Sequence, residues 1–299
     1  MVKIKIIDSH MHLFTKDIFL HRKKLKQNLN PKLLSVDEER LRKFREKKNL
    51  RLPQEGVEKT AERWLFEFSR CGIEKGIFFG FYENCRDLID FVAQNPKRFL
   101  GYTSLNPTER DAPKALKRDI KNGLCGVKLY PGGEYFRVCD EKAYPFYEMA
   151  QKLKIPIAIH FGLSLNYYVD HRYTNPLDLD PVARDFPDLK FIIAHFGCGF
   201  MRETLFLSYH CDNVYFDTSG SNSWVSYLPY KISLRQVFKK FLEVCGVEKI
   251  LFGTDSSYFP RGYRIDILKT QLKILKSLKV RRRDVEKIFY ENILRILER

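Results

Sequence analysis

Eight short apolar runs, separated by segments with helical spacing, most constrain how this 299-residue chain can fold. The runs are continuously hydrophobic rather than alternating, as parallel strands buried on both faces are. Each interval after the second run is long enough for one helix and two short loops. The pattern therefore predicts an α/β fold, a closed (β/α)₈ barrel. The predicted strands are Val2–Asp8, Gly76–Phe81, Phe99–Thr103, Gly126–Tyr130, Pro156–Phe161, Lys190–His195, Val214–Asp217 and Ile250–Gly253.

The length of the chain suits one such domain. A TIM (β/α)₈ barrel uses about 250 residues, so we expect residues 1–299 to form a single domain. Residues 57–71 have the clearest apolar helical face. The last predicted helix, Asp284–Leu297, is expected on the outside of the barrel. Further helices are predicted at Leu88–Val92, Ala143–Leu153, Arg235–Val244 and Ile265–Leu278.

Residues 14–56 form an insertion between the first strand and its helix, far longer than a usual connection of this kind. Ser35 and Glu38 fit a capping box, so a helix is predicted over residues 36–48. Connections that follow a strand leave the barrel at the strands' C-terminal ends, where the active sites of such barrels lie. We therefore expect the insertion near the mouth of the site, as a lid or as a charged decoration.

The positive charge of the chain is concentrated in this insertion. The formal net charge is +16, and residues 16–51 hold 13 Lys and Arg against 5 Asp and Glu. One basic segment is typical of a solvated surface or of a cover over an anionic ligand, rather than of a duplex-binding face. We therefore expect a small anionic substrate and no nucleic acid.

The composition also indicates a compartment. No run approaches the about 20 apolar residues that a membrane span needs, and the N-terminus lacks a secretory pattern. Seven cysteines are scattered without CxxC pairing, which is typical of reduced thiols. We expect a cytoplasmic protein that does not bind membranes.

Two histidines close to the end of the first predicted strand begin the candidate site. His10 and His12 are two residues apart, so their side chains point to the same face. Imidazole is a common ligand of Zn²⁺ and similar ions. Because the C-terminal ends of all the strands meet at one rim, polar residues at later strand ends join them and predict a metal site. These later residues are Lys128, His160, His195 and Asp255.

The same residues resemble the amidohydrolase superfamily, and most closely its amidohydrolase-related branch. That branch includes aminocarboxymuconate-semialdehyde decarboxylase, resorcylate-type decarboxylases and dicarboxylate lactonases. The resemblance spans nearly the whole chain in the expected order. The matching motifs are Ile-Asp8-Ser-His10-Met-His12, Gly-Val-Lys128-Leu, Ile-His160, Ala-His195-Phe-Gly, Val-Tyr-Phe-Asp217-Thr-Ser and Leu-Phe-Gly-Thr-Asp255-Ser.

The resemblance implies one divalent ion, Zn²⁺ or alternatively Mn²⁺, that acidifies a water molecule. Asp255 would move protons, and His195 would polarise a carbonyl or position the water, so both are candidate catalytic residues. Asp8 is expected to orient a ligand histidine or to bind the ion peripherally. The ligands that the resemblance implies are His10, His12, His160 and Asp255.

Lys128 decides between one metal and two. In binuclear relatives a lysine at this place is carboxylated and bridges two ions, so a second metal is expected only in that case. The Gly-Val-Lys context of the branch favours an unmodified lysine that assists substrate binding. His171 and Arg172, in the loop after the fifth strand, are further candidates for substrate binding.

The resemblance implies a metal-dependent hydrolase that acts on a small carboxylated substrate through a water activated by the metal. A non-oxidative decarboxylase of the same family is the first alternative. A TatD-type metal-dependent deoxyribonuclease is the second, although those enzymes have a glutamate where Lys128 stands. A catalytically silent binding protein on the same barrel is the third. Relatives often associate through their outer helices, so a homodimer is expected by resemblance.

Overall fold

A computed structural model describes residues 4–20, 29–80 and 85–298 of the chain. Within them, eight parallel strands form one sheet in which each strand pairs with the next along the chain. The predicted TIM barrel is thereby confirmed. The strands are β1 (Ile7–His12), β2 (Lys75–Phe79), β3 (Phe99–Ser104), β4 (Gly126–Leu129), β5 (Ile157–Ile159), β6 (Phe191–Ile193), β7 (Val214–Asp217) and β8 (Ile250–Leu251).

The barrel closes where β1 meets the segment that follows β8, which we call the seam. The Asp255 N–H donates to the His10 carbonyl at 2.9 Å, and the His12 N–H donates to the Ser256 carbonyl at 2.8 Å. The first and last strands of the chain thus meet through backbone hydrogen bonds. The C-terminal part of β1 and the residues after β8 lie side by side at the rim.

The prediction for the first strand is wrong at both ends. Strand β1 begins at Ile7 and extends through His12, whereas the sequence pattern placed it over Val2–Asp8. The seam explains the extension, because it supplies backbone partners as far as His12. Val2 and Phe81, which stand in two of the predicted strands, lie outside the described residues.

Helices pack around the sheet and bury its outer face. The described longer helices follow the strands in order, and Val57–Cys71 agrees with its prediction to the residue. They are α1 (Pro31–Lys47), α2 (Val57–Cys71), α3 (Arg86–Gln94), α4 (Ala112–Lys121), α5 (Pro131–Glu134), α6 (Tyr144–Lys152), α7 (Leu179–Asp185), α8 (Met201–His210), α9 (Leu234–Cys245), α10 (Ile265–Ser277), α11 (Arg282–Glu286) and α12 (Asn292–Leu297).

The last helical segment closes one end of the barrel instead of lying on its outside. Ile293 and Ile296 of α12 are buried in one cluster with inward-facing strand residues such as Ile7 and Leu251. The Asn292 side chain donates to the Ile250 carbonyl at 2.9 Å, at the start of β8. A π-helical turn over Lys287–Glu291 separates α11 from α12, so the predicted single helix is divided. The prediction of an outer position is therefore wrong for α12, whereas Ile288 and Phe289 belong to the larger cluster that the strands share with the surrounding helices.

The helix of the insertion begins earlier than predicted. Helix α1 starts at Pro31, and the Asn30 side chain caps it by accepting from the Lys32 N–H at 2.9 Å. Ser35 therefore lies inside the helix, and the predicted capping box with Glu38 is wrong. Proline at the first helical position suits this start, because its missing N–H would have no partner there.

No helix among the described residues is both long enough and apolar enough to cross a membrane.

Candidate metal centre

His10 holds one imidazole nitrogen in a defined state. Its Nδ1 lies 2.8 Å from Asp217 Oδ2, and both side chains are buried. Because a carboxylate accepts, Nδ1 carries the proton and Nε2 carries the lone pair. Nε2 is buried and has no hydrogen-bond partner among the described residues, and Asp255 Oδ1 lies 3.8 Å from it. This nitrogen can therefore coordinate a metal ion.

His12 and Asp255 complete a compact donor group with His10. His12 Nε2 lies 3.2 Å from Asp255 Oδ1, and one ligand atom from each of the three residues falls within 4.8 Å of the others. Ligand atoms around a tetrahedral Zn²⁺ with bonds of about 2.0–2.2 Å are separated by about 3.4 Å. Two imidazoles and one carboxylate at these distances fit a divalent ion.

His160 and His195 lie next to this group. The ring centroid of His195 is 4.6 Å from that of His10 and 5.1 Å from that of His160. His160 Nε2 lies 3.1 Å from the Leu163 carbonyl oxygen and therefore donates to it, which leaves Nδ1 with the lone pair. Among the described residues, His160 belongs to neither compact donor group at the rim, one with His12 and Asp255 and one with His195 and Asp217.

His195 stands in a turn after β6 rather than at the strand's end. Its backbone is left-handed, with φ of 54°, and the next residue, Phe196, also has φ of 54°. Such a conformation costs a side-chain-bearing residue about 1 kcal/mol or more. The Asp217 carboxylate accepts from the His195 N–H at 3.0 Å and so helps to hold this turn.

Asp217 is the functional residue that the sequence argument left without a role. One of its oxygens accepts from the His10 ring and the other from the His195 backbone, so it positions two imidazoles at once. Its motif is among those that match the family, and its place at the end of β7 is the same signal that singles out the other strand-end residues.

Asp8 has a different role from the one predicted. Its Oδ2 accepts from the Thr254 hydroxyl at 2.5 Å, and its Oδ1 accepts from the Thr254 and His10 N–H groups at 3.1 Å each. The carboxylate therefore holds the backbone across the seam and does not orient an imidazole ring. Burial raises the pKa of Asp8 to about 7, although these hydrogen bonds oppose the rise.

Burial keeps the histidines of the centre neutral, which is the form that binds metals. It lowers the pKa of His10 to about 3 against the opposing charge of Asp217, and it lowers the pKa values of His12 and His160. Burial works to raise the pKa of Asp255, but the His12 hydrogen bond and the neighbouring imidazoles hold it below its usual range. The donor group is thus neutral imidazole and ionised carboxylate.

Lys128 is a buried cation beside the centre. Its side chain is 5% exposed, Nζ has no hydrogen-bond partner among the described residues, and it lies 4.8 Å above the Phe79 ring. The same ring packs against His10 at 4.5 Å between centroids. Burial lowers the pKa of Lys128 to about 8. An unpaired buried ammonium is costly, so this position suits an anionic ligand.

The two loop candidates for substrate binding stand apart from this cluster. His171 and Arg172 are exposed, and the Arg172 guanidinium pairs with Asp170 at 2.6 Å. Another part of the same loop contacts the insertion, because the Tyr167 N–H donates to the buried Asp37 of α1 at 2.7 Å. Helix α1 therefore packs on the loop that follows His160.

A parallel eight-stranded barrel with imidazoles and a carboxylate converging at its C-terminal rim is typical of metal-binding TIM-barrel enzymes. The chain belongs to the amidohydrolase family, since the family model described as Amidohydrolase matches residues 7–299. This is a family of metal-dependent enzymes, hydrolases and decarboxylases.

Three solved structures are similar over nearly the whole chain. An uncharacterized TIM-barrel protein of Bordetella bronchiseptica has a TM-score of 0.68 and 22% identity, covering 98% of both chains. A 5-carboxyvanillate decarboxylase of Novosphingobium aromaticivorans, complexed with manganese, has a TM-score of 0.68 and 14% identity over 98% of this chain and 96% of that one. A probable 2-pyrone-4,6-dicarboxylic acid hydrolase of Acinetobacter baumannii, with citric acid bound, has a TM-score of 0.65 and 14% identity over 98% and 99%. These likenesses support the fold.

Curated relatives match shorter stretches. A dihydroorotase of Nitrosococcus oceani is 28% identical over 115 residues, which are 35% of this chain and 33% of the relative. Protein FluG of Emericella nidulans is 25% identical over 108 residues, which are 36% of this chain and 12% of the relative. The matches thus span a third or less of the length of these relatives.

Proposed function

We propose that this protein is a metal-dependent hydrolase that acts on a small carboxylated substrate. The observation that carries the proposal is the buried Nε2 of His10, which has no hydrogen-bond partner among the described residues and lies 3.8 Å from Asp255. A buried polar atom without a partner costs free energy, and a divalent ion would satisfy it together with the carboxylate. Membership of the amidohydrolase family supports the same assignment.

One ion would be held by His10 Nε2, His12 Nε2 and Asp255, with His160 Nδ1 as the fourth donor. Zn²⁺ suits this set of imidazoles and carboxylate, and Mn²⁺ is the alternative. When bound, the ion supplies positive charge that acidifies a water molecule and polarises a substrate oxygen. A second ion would require a carboxylated Lys128, and the described residues offer no contact that supports this modification.

Asp255 and His195 are the proposed proton carriers. Asp255 is ionised and faces the donor group, so it can accept a proton from an attacking water. The Ser219 hydroxyl donates to Asp217, and His195 Nδ1 lies 2.7 Å from that hydroxyl oxygen and 3.1 Å from the Ser219 carbonyl oxygen. His195 Nδ1 therefore carries the proton, and its Nε2 offers a lone pair to the substrate.

Lys128 would bind the carboxylate of the substrate. Its ammonium is buried and has no hydrogen-bond partner among the described residues, so an anionic group that pairs with it removes an existing cost. His171 and Arg172 would then contribute only if their loop moved toward the rim. We assign the anion to Lys128 first for this reason.

The test is an activity screen with the chain stripped of metal and reloaded with Zn²⁺ or Mn²⁺. The panel holds lactones, amides and carboxylated aromatic acids, each carboxylate paired with its uncharged analogue. We expect hydrolysis of a carboxylated member, a loss of at least about 100-fold in Asp255→Asn, and no change in the exposed control Asp188→Asn. Metal binding that is unaffected by His10→Ala, or a loaded enzyme inactive on the whole panel, would refute the proposal.

Decarboxylation of a carboxylated aromatic acid is the second candidate. The buried Lys128 suits a substrate carboxylate, and one of the similar structures is a decarboxylase that holds a nitrobenzoic acid. The same site would then bind the carboxylate while His195, once protonated, protonates the carbon that loses CO₂. Measuring CO₂ release beside acid release in the same screen separates the two reactions, because hydrolysis yields a new acid and no CO₂.

A further inference from the structure

A second group of metal-ligating side chains lies on the outside of the barrel, between helices α7 and α8. Asp180 Oδ1 accepts a hydrogen bond from His210 Nδ1 at 2.6 Å, and Cys211 Sγ lies 3.8 Å from the same oxygen. One ligand atom from each residue falls within 4.8 Å of the other two. Two ionisable donors thus converge on one carboxylate oxygen.

We propose that Asp180, His210 and Cys211 form a second metal site, which takes a divalent transition ion such as Zn²⁺. A thiolate, an imidazole and a carboxylate form a donor set that Zn²⁺ accepts and that Mg²⁺ and Ca²⁺ do not favour. The Asp180–Cys211 distance already fits the edge of a tetrahedral site. The distance between Asp180 Oδ1 and His210 Nδ1 would have to increase by less than about 1 Å for an ion to replace the proton between these atoms.

The segment that carries two of the ligands is fixed to α7 by a buried amide. The Asn213 side chain donates to the carbonyls of Ala183, Phe186 and Leu189 at 3.0, 2.9 and 2.9 Å. Asn213 is 5% exposed, and it follows Cys211 by two residues. The chain at the end of α8 is therefore held against the end of α7, and little ordering remains to be done when an ion binds.

Arg184 pairs with Asp180 Oδ2 and leaves Oδ1 available to a metal ion. Its Nη2 and Nε lie 3.1 and 3.2 Å from Asp180 Oδ2, whereas the two donors of the site face Oδ1. A ligand carboxylate is commonly oriented by a hydrogen bond to its other oxygen. The carboxylate of Asp180 and the thiolate of Cys211 supply the two negative charges that balance a divalent ion.

The site is open to solvent on one side. The His210 side chain is 57% exposed, and His210 and Asp180 line a hollow of about 470 Å³ with Leu177, Phe206, Leu207 and Tyr209. An ion can therefore reach Asp180 and His210 from this hollow, and a water molecule has room as the fourth ligand. Cys211 is buried, and its Sγ lies 3.8 Å from Asp180 Oδ1.

The protonation of the metal-free site determines whether metal binding releases protons. Burial raises the pKa of the Cys211 thiol to about 11, so the thiol is protonated at neutral pH and must lose its proton to the solvent. When the ion takes Nδ1 of His210, the proton on that nitrogen moves to Nε2. The thiol proton is therefore released to the solvent, and the affinity for the ion rises with pH.

The experiment replaces the native metal of the full chain with Co²⁺ after chelation and follows the absorption spectrum. We expect a near-ultraviolet band from thiolate-to-cobalt charge transfer and about one proton released with it. Cys211→Ser should remove the band. His210→Gln, a change at an exposed side chain, should weaken Co²⁺ binding at this site by about tenfold or more.

The matched control is Cys198→Ser, which removes another buried thiol, one that donates to the Leu163 carbonyl at 3.2 Å, and it should keep the band. The His10→Ala variant, which lacks an inner ligand, should also keep it. A spectrum without a thiolate band overturns the proposal, as does a band that persists in Cys211→Ser or disappears in Cys198→Ser. Because the inner site is tested by His10→Ala and the outer by Cys211→Ser, failure of one assignment is distinguishable from failure of the other.

Discussion

At the residue scale, Asp217 connects the two sides of the candidate centre. Its two oxygens bind the His10 ring and the His195 backbone, and the Ser219 hydroxyl also donates to it. A carboxylate behind a ligand imidazole fixes the ring's tautomer and raises its basicity. In the proposed centre, the affinity for metal would therefore depend on a residue that does not contact the ion.

Replacing Asp217 tests this dependence. Asp217→Asn keeps the size of the side chain but removes its charge, so we expect affinity for Zn²⁺ to fall by about 10- to 100-fold. Calorimetric titration of the metal-free protein with Zn²⁺ measures this affinity. The control is Asp188→Asn, at an exposed position on the outside of the barrel. Equal affinities for the two variants would contradict the assigned role.

Lys128 should make the metal-free protein less stable below pH 8. Its pKa is about 8 in the folded chain and 10.5 ordinarily, so the folded state releases its proton first as the pH rises. Below pH 8 the folded state carries the full free-energy cost of burying the ammonium. This cost falls to zero as the pH rises from 8 to 10.5. Each pKa unit corresponds to about 1.4 kcal/mol, so the cost is about 3 kcal/mol.

The measurement is urea unfolding of the wild type and Lys128→Met with chelator present. We expect the variant to be more stable at pH 7 and the difference to shrink as the pH approaches 10.5. The control Lys190→Met, at a partly exposed lysine next to β6, should show no such trend. A difference between wild type and Lys128→Met that stays constant with pH would rule out the mechanism.

At the scale of elements, helix α1 contacts the loop after β5 through a buried carboxylate. Asp37 is fully buried and accepts from the Tyr167 N–H, and the Arg40 guanidinium lies 5.4 Å from the centroid of the Tyr167 ring. The rest of the helix is largely exposed and basic. Its position over the loop therefore depends in part on Asp37.

Asp37→Ala should release this helix. Loss of a buried acceptor costs about 1–3 kcal/mol, so local opening and cleavage by trypsin within α1 should become about tenfold faster or more. Mass spectrometry of the fragments locates the cuts. The neighbouring exposed change Glu38→Ala serves as the control and should leave the rate unchanged. Identical rates in both variants would show that α1 is held by other contacts.

The elements were more predictable than their ends. Val214–Asp217 and Val57–Cys71 follow directly from apolar spacing, because local burial decides them. The extent of β1 could not be predicted, since it depends on residues after β8 that lie more than 240 positions away in the sequence. The start of α1 was missed for a local reason, because Asn30 and Ser35 are both good caps and the chain uses the first.

The candidate site was likewise predictable only in part. Strand ends located His10, His12 and Asp255 together, because parallel strands deliver their ends to one rim. Which carboxylate supports His10 could not be read from spacing, since it depends on the direction of side chains from different strands. For that reason Asp217, and not Asp8, orients the His10 ring.

At the scale of the whole molecule, the barrel interior is closed at the end opposite the centre by α12. Ile293 is 1% exposed and packs with the inward-facing residues of several strands. Ile293→Ala should therefore destabilise the entire barrel by about 2–5 kcal/mol, as cavities in cores do. Urea unfolding measures the change, and Arg295→Ala on the same helix is the control. A loss below about 1 kcal/mol would mean that α12 contributes little to the core.

Metal binding at the candidate centre should affect how often the barrel opens along the seam. His10 and His12 belong to the first strand and Asp255 follows the last, so an ion bound by all three joins the two margins of the sheet. Occupancy should then govern how often the barrel opens along this line. Hydrogen–deuterium exchange of the Asp255 and His12 amides should slow on metal loading, while the Ala158 amide in β5, across the barrel from the seam, exchanges at an unchanged rate. Exchange at the seam that ignores the metal would mean that the ion does not join the first and last strands.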